Sequence, residues 1–301
     1  MKTKLFLSIK LLVLVLLPFQ QATAQAFYGM TPSGGAEDAG AIIKYDNATS
    51  TVVAVKSMTN LAPGANPNGT DLVEYNSKFY GMTGYYDDGV IFEWDPITNV
   101  YTKKINFSTA LGSLPQGSLT LKDGKFYGMT SSGGVNGRGV IFEWDPTTNV
   151  YTKKMDFSTA LGSVPKGSLT LKDGKFYGMT NQGGVNNNGV IFEWDPTTNL
   201  YTKKIDLIWN LGINPSGNLT LKDGKFYGMT KEGGVNAKGV IFEWNPTTNG
   251  YVKKIELSNV SGGHPLGSLV LKDGKFYGMT SNYGTVNIYG GFGVIFEWNP
   301  T

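Results

Sequence analysis

The chain has 301 residues, 40% of them hydrophobic, with one histidine and no cysteine. That composition excludes disulfides, thiolate zinc sites, a cysteine nucleophile, a lipid-modified N-terminal cysteine and any multi-histidine metal site. Its 26 basic residues exceed its 23 acidic ones only through Lys2, Lys4 and Lys10, so the remainder is formally neutral and has no basic tract with which to bind nucleic acid or an anionic membrane.

Residues 1–24 read as a signal peptide. The three lysines precede a short apolar run, Leu11–Leu17, and Ala22-Thr23-Ala24 is a small-x-small cleavage site. The run is too short to cross a bilayer core of about 30 Å. The expected mature chain starts at Gln25 and is exported to the cell surface, the medium or the periplasm, without membrane insertion.

From there one block of roughly 50 residues is written repeatedly. Lys125-Phe126-Tyr127-Gly128-Met129-Thr130 recurs at 175–180, 225–230 and 275–280, and Gly139-Val140-Ile141-Phe142-Glu143-Trp144-Asp145-Pro146 returns from Gly89, Gly189, Gly239 and Gly293 with small changes. Within one unit, Gly117–Leu121 alternates polar and apolar residues as a strand does. Asp123-Gly124 is a tight-hairpin signal leading into a second strand, Phe126–Thr130. Ser131–Gly139 is a Gly- and Asn-rich loop. Val140–Trp144, dense in β-branched and aromatic residues, is a third strand apolar on both faces. Asp145-Pro146-Thr147-Thr148-Asn149 is a turn, Tyr151–Phe157 a fourth strand and Ser158–Lys166 the linker onward.

Four short antiparallel strands per unit describe one blade of a β-propeller. The expected fold is therefore all-β, with about six four-stranded blades in units near 26–58, 69–107, 117–157, 167–207, 217–257 and 267–301. The first unit lacks its first strand and the last its fourth, and this phase predicts a chain truncated at its C-terminus. Trp94, Trp144, Trp194, Trp244 and Trp298 share one strand position and are expected between blades, where a Trp buries about 150–250 Å². Trp209 lies in a linker and is expected to be exposed. Lys153-Lys154 and its copies are expected to guard an outer sheet edge, and Glu143 and Asp145 to be solvated at turns or edges.

The pattern Gly-Lys-Phe-Tyr-Gly-Met-Thr, then Gly-Gly, then Gly-Val-Ile-Phe-Glu-Trp-Asp-Pro-x-Thr-Asn resembles the bacterial GloVer tandem repeat, and more distantly it is similar to kelch. The Tyr-Gly-Met-Thr core occurs six times. Unlike in kelch, Gly133-Gly134 lies beyond the second strand. The resemblance implies a propeller in a secreted or surface-exposed protein, with no established activity.

No catalytic residue, metal site or cofactor is expected. The single His264 reads as a solvated linker residue, Asp-x-Asp-x-Asp-Gly calcium spacing is absent, and the inner strands bring no carboxylate into the channel. Internal variation points elsewhere. The strands are nearly copied, whereas the loop between strands two and three and the inter-unit linker vary, and both emerge on one face. That face supplies the candidate binding residues Tyr85, Tyr86, Asp87, Asp88, Arg138, Trp209, Tyr283 and Tyr289, aromatics and charges suited to a glycan or protein ligand. The expected function is a non-catalytic binding scaffold. A polysaccharide-active enzyme using two carboxylates and a passive spacer in a larger surface protein are the competing classes.

Overall fold

The computed structural model describes residues 27–59, 64–67, 69–84, 88–284 and 291–300; residues 1–24, expected from the sequence to be a signal peptide, lie outside them. The chain is an all-β, six-bladed propeller. Blade 1 holds β1 (Phe27–Thr31), β2 (Ala41–Asp46) and β3 (Thr51–Ser57). Blade 2 holds β4 (Val73–Tyr75), β5 (Lys78–Thr83), β6 (Val90–Trp94) and β7 (Tyr101–Asn106). Blade 3 holds β8 (Thr120–Lys122), β9 (Lys125–Thr130), β10 (Val140–Asp145) and β11 (Val150–Asp156). Blade 4 runs through β12 (Thr170–Lys172), β13 (Lys175–Thr180), β14 (Val190–Asp195) and β15 (Leu200–Asp206). Blade 5 runs through β16 (Thr220–Lys222), β17 (Lys225–Met229), β18 (Val240–Asn245) and β19 (Gly250–Glu256). Blade 6 holds β20 (Val270–Lys272), β21 (Lys275–Met279) and β22 (Ile295–Trp298). Every sheet is an antiparallel meander in sequence order.

Local chemistry sets each blade. Asp123 and Gly124 have φ of 51° and 76°, the positive pair that a two-residue hairpin needs to match the strand twist. The inner strand is shorter than its alternating pattern suggested: only Thr120–Lys122 is paired. Gly117 and Ser118 instead run beside the neighbouring blade. Gly128 is obligatory because a Cβ there would lie 2.5 Å from Cζ of Phe142, whose ring covers it from the paired strand.

Blades pack by one repeated contact. Tyr80, Met82 and Ile91 of blade 2 meet Phe126, Val140, Phe142 and Trp144 of blade 3 in a single core cluster. The arrangement returns at the next two interfaces. Trp94, Trp144, Trp194 and Trp244 are at most 1% exposed, as expected of inter-blade anchors. At the ends of the series the faces are open. Met279 and Ile295 of blade 6 are 60% and 80% exposed, where Met129 and Ile141 are 2% and 0%.

The outer strand lies at the sheet edge, but its lysines are partnered. Lys153 Nζ bonds Asp156 at 3.0 Å, and Lys154 Nζ lies 3.7 Å from Glu143. Glu143 is correspondingly not a solvated edge residue. Burial pushes its carboxyl up, but hydrogen bonds from Lys125 and Tyr127 and the charge of Lys154 outweigh that and hold it below its ordinary value. Asp145 is a turn residue as read, accepting the Thr147 and Thr148 amides at 2.8 and 3.2 Å.

Candidate functional site

The variable loops and linkers form one face, tied by backbone hydrogen bonds. Ser113 and Ser132 exchange N–H···O bonds of 2.8 and 3.0 Å, joining the linker into blade 3 to that blade's own loop. Ser163 with Gln182, Ile213 with Glu232 and Gly263 with Asn282 repeat the pairing. The next linker residue reaches back to the preceding blade: Leu114 N donates to Asp88 O at 2.9 Å, and Val164 N to Arg138 O at 3.0 Å. Loops of differing sequence thus sit on a continuous polar frame.

That frame imposes an uncommon backbone. Asn66, Leu114, Val164, Asn214 and His264 each precede a proline and have φ of 54–57°. Asn tolerates this left-handed conformation, but a β-branched residue such as Val164 is strained in it. Strain of this kind concentrates where structure serves a ligand. Two residues on, Gln116, Lys166, Ser216 and Leu266 stand around the central channel.

The channel is a cavity of about 960 Å³. Asp71 and Lys166 both line it, and sequence reasoning missed both. The first corrects the reading that inner strands bring no carboxylate: in blade 2 an aspartate stands where Ser118, Ser168, Asn218 and Ser268 stand in blades 3 to 6. Asp71 takes a hydrogen bond from Ser118 Oγ at 2.9 Å. Lys166 is half-buried, and burial together with nearby Lys231 pushes its ammonium below the ordinary range. The available signal for Lys166 was the run Gln116, Lys166, Ser216, Leu266 at one repeat position.

Of the sequence candidates, Tyr85, Tyr86, Asp87 and Tyr289 lie outside the described residues. Asp88 and Arg138 occupy the same place on successive blades, the first half-buried and the second exposed. Trp209 is 51% exposed and opens a short 3-10 turn, Trp209–Leu211. Tyr283 is half-buried rather than free. Lys238 Nζ lies over its ring, 3.9 Å from the centroid, and donates to its hydroxyl at 2.7 Å. His264 packs on the same ring at 5.5 Å, and its Nδ1 sits 3.1 Å from Lys231 O. That corrects the reading of His264 as solvated. Tyr283, Lys238 and His264 therefore form one cluster. The face also carries an apolar set unforeseen in the sequence: Val135, Val185 and Val235, 80%, 77% and 84% exposed. Among the described residues no group of three or more His, Asp or Glu could hold a metal ion, and no helix is long and apolar enough to cross a membrane.

The model of the Gloeobacter/Verrucomicrobia repeat matches residues 17–174 and 155–301, and the chain belongs to that family. No curated protein is matched. Three solved structures are similar to this chain at low identity, and the second and third share its fold. TolB from Acinetobacter baumannii is 14% identical at TM-score 0.49, with 84% of this chain and 60% of that one covered. The extracellular domain of the one-component system BT4673 from B. thetaiotaomicron is 14% identical at TM-score 0.54, covering 86% and 32%. A chain of the nidogen/laminin complex is 13% identical at TM-score 0.56, covering 85% and 86%. The chain thus spans less than two thirds of the first two of these.

Proposed function

We propose that this member of the repeat family is an exported, non-catalytic scaffold that binds a protein partner through its variable loop face. The observation that carries the reading is the contrast between near-copied strands and varied loops and linkers on one face, which also exposes a valine at the same repeated loop position, Val135, Val185 and Val235. Apolar side chains presented on successive blades of one face offer a protein partner contacts of the kind found in interface cores. Aliphatic valines offer no stacking plane and no hydrogen bond, so they suit a protein surface better than a glycan. Trp209, Arg138 and the Tyr283 cluster add the aromatic and charged anchors typical of protein interfaces. Asp88 belongs to the same proposed surface; Tyr85, Tyr86, Asp87 and Tyr289 are candidates from the sequence alone. Export rests on the leader-like residues 1–24, and the nidogen/laminin complex and the extracellular BT4673 domain are settings compatible with it.

Co-purification from native envelope fractions tests this, comparing wild type with Val135→Ser/Val185→Ser/Val235→Ser. The expected result is a partner retained by wild type and lost by the variant at unchanged Tm. Identical capture by both would overturn the assignment. A mature N-terminus at Gln25, read by mass spectrometry, is the expected mark of export.

A further inference from the structure

Charged and amide residues that break the repeat gather on the channel wall. At one linker position blades 3 to 6 carry Gln116, Lys166, Ser216 and Leu266, and Lys166 is the one charge among them. At the inner-strand serine position blade 5 carries Asn218, which lines the same cavity. Serine makes the backbone contact there in the neighbouring blades: Ser118 N donates to Ser168 Oγ at 2.7 Å, and Asn218 N to Ser268 Oγ at 2.8 Å. Asn218 keeps that contact through Oδ1, which accepts from Ser168 N at 2.6 Å, and its amide adds an Nδ2 donor pair that serine lacks.

Lys166 has no counter-ion. Among the described residues no hydrogen bond or ion pair engages its Nζ. Burial and the charge of Lys231 both oppose its ammonium. Lys231 itself lies 3.2 Å from Glu232. Asp71, the carboxylate on this wall, accepts from Ser118 Oγ at 2.9 Å and is not ion-paired with Lys166. A half-buried charge without a partner costs free energy that an incoming anion would recover.

We propose that the channel wall of blades 3 to 5 is a binding site for an acidic sugar, its carboxylate on Lys166 and its hydroxyls on the amides of Gln116 and Asn218. The side chains fit that class. An ammonium meets a carboxylate as a compact point charge. Side-chain amides both donate and accept, as sugar hydroxyls do. Gln116 is steadied by its bond from Nε2 to Ser131 Oγ at 3.1 Å, which leaves Oε1 to accept. A phosphate is typically met by an arginine fork, and no arginine lines this wall. A concave cavity with a few placed polar groups is the ordinary form of a small-ligand site. The site lies on the channel and does not depend on the valine-bearing loop face.

Calorimetric titration of the full chain with digalacturonate tests this. Each variant takes the residue that another blade carries at the same position, so the fold is kept. The expected result is saturable binding at one site, weakened about tenfold or more by Lys166→Gln and to a lesser degree by Asn218→Ser, each at unchanged Tm. Neutral digalactose binds about tenfold or more weakly than digalacturonate. The Val135→Ser/Val185→Ser/Val235→Ser variant binds as wild type does. Absence of saturable binding at millimolar digalacturonate, equal binding of digalactose or of inorganic phosphate, or wild-type affinity in Lys166→Gln would overturn the proposal.

Discussion

Nε1 of Trp144 donates to Oδ1 of Asn149 across 3.2 Å, and Nδ2 of the same asparagine donates to Lys104 O of the preceding blade at 3.3 Å. Trp194 with Asn199 and Trp244 with Asn249 repeat both bonds. The asparagine that closes the turn therefore satisfies the buried indole and staples two blades. It also adopts φ of 58°. Asn149→Ala loses both bonds and strains the backbone, and is expected to cost about 2 kcal/mol. Asn149→Gly keeps the conformation and is expected to cost clearly less. Chemical denaturation of both variants checks the order; equal losses would remove the conformational part of the argument.

Gly167 and Gly267 hold the same repeat position with opposite surroundings. A Cβ at Gly167 would collide with Gly217 O, whereas one at Gly267 is unopposed. Gly167→Ala is expected to lower stability by about 1–3 kcal/mol through overpacking, and Gly267→Ala to leave it unchanged. Thermal melts of the two single variants decide this, and equal behaviour would contradict the packing described.

Most of the frame was legible in the sequence. Repeat spacing, the Asp-Gly hairpin and the shared Trp position each rest on local chemistry or on periodicity. The site was less so. Asp71 was overlooked because blade 2 departs from the Gly-Ser-Leu-Thr-Leu pattern, and Lys166 because a channel becomes visible only when units are arranged around an axis. Tyr283 and His264 read as exposed because sequence does not reveal that Lys238, one blade away, covers the ring.

Val164 is strained at φ 54°, in a position that two other units fill with asparagine. Val164→Asn is therefore expected to stabilise by about 1–2 kcal/mol, the cost of the left-handed conformation for an ordinary residue. A lower melting temperature in the variant would show that Val164 packing outweighs its backbone strain.

Glu93, Glu143, Glu193 and Glu243 all titrate below the ordinary 4.5, where hydrogen bonds from lysine and tyrosine overcome burial. A depressed carboxyl contributes stability that is fully present above its unfolded value and lost as pH falls through its folded value. Stability is thus expected to hold through neutral pH and to fall below about pH 4.5. Lys125 shifts the other way, raised first by its hydrogen bond to Glu143, so its contribution persists until strongly alkaline pH. The Glu143→Gln/Glu193→Gln/Glu243→Gln variant should show a shallower acid decline of Tm. An unchanged decline would assign acid sensitivity to other groups.

The varied loop face, carried on a copied frame, is the surface proposed to meet a partner. Site-specific photo-crosslinking in the native cell tests it most directly, with the probe at Val185 on that face or at Asp173 in the hairpin at the opposite end of the blade. One discrete protein adduct is expected from position 185 and none from 173. Equal adducts from both positions, or adducts only from 173, would contradict it.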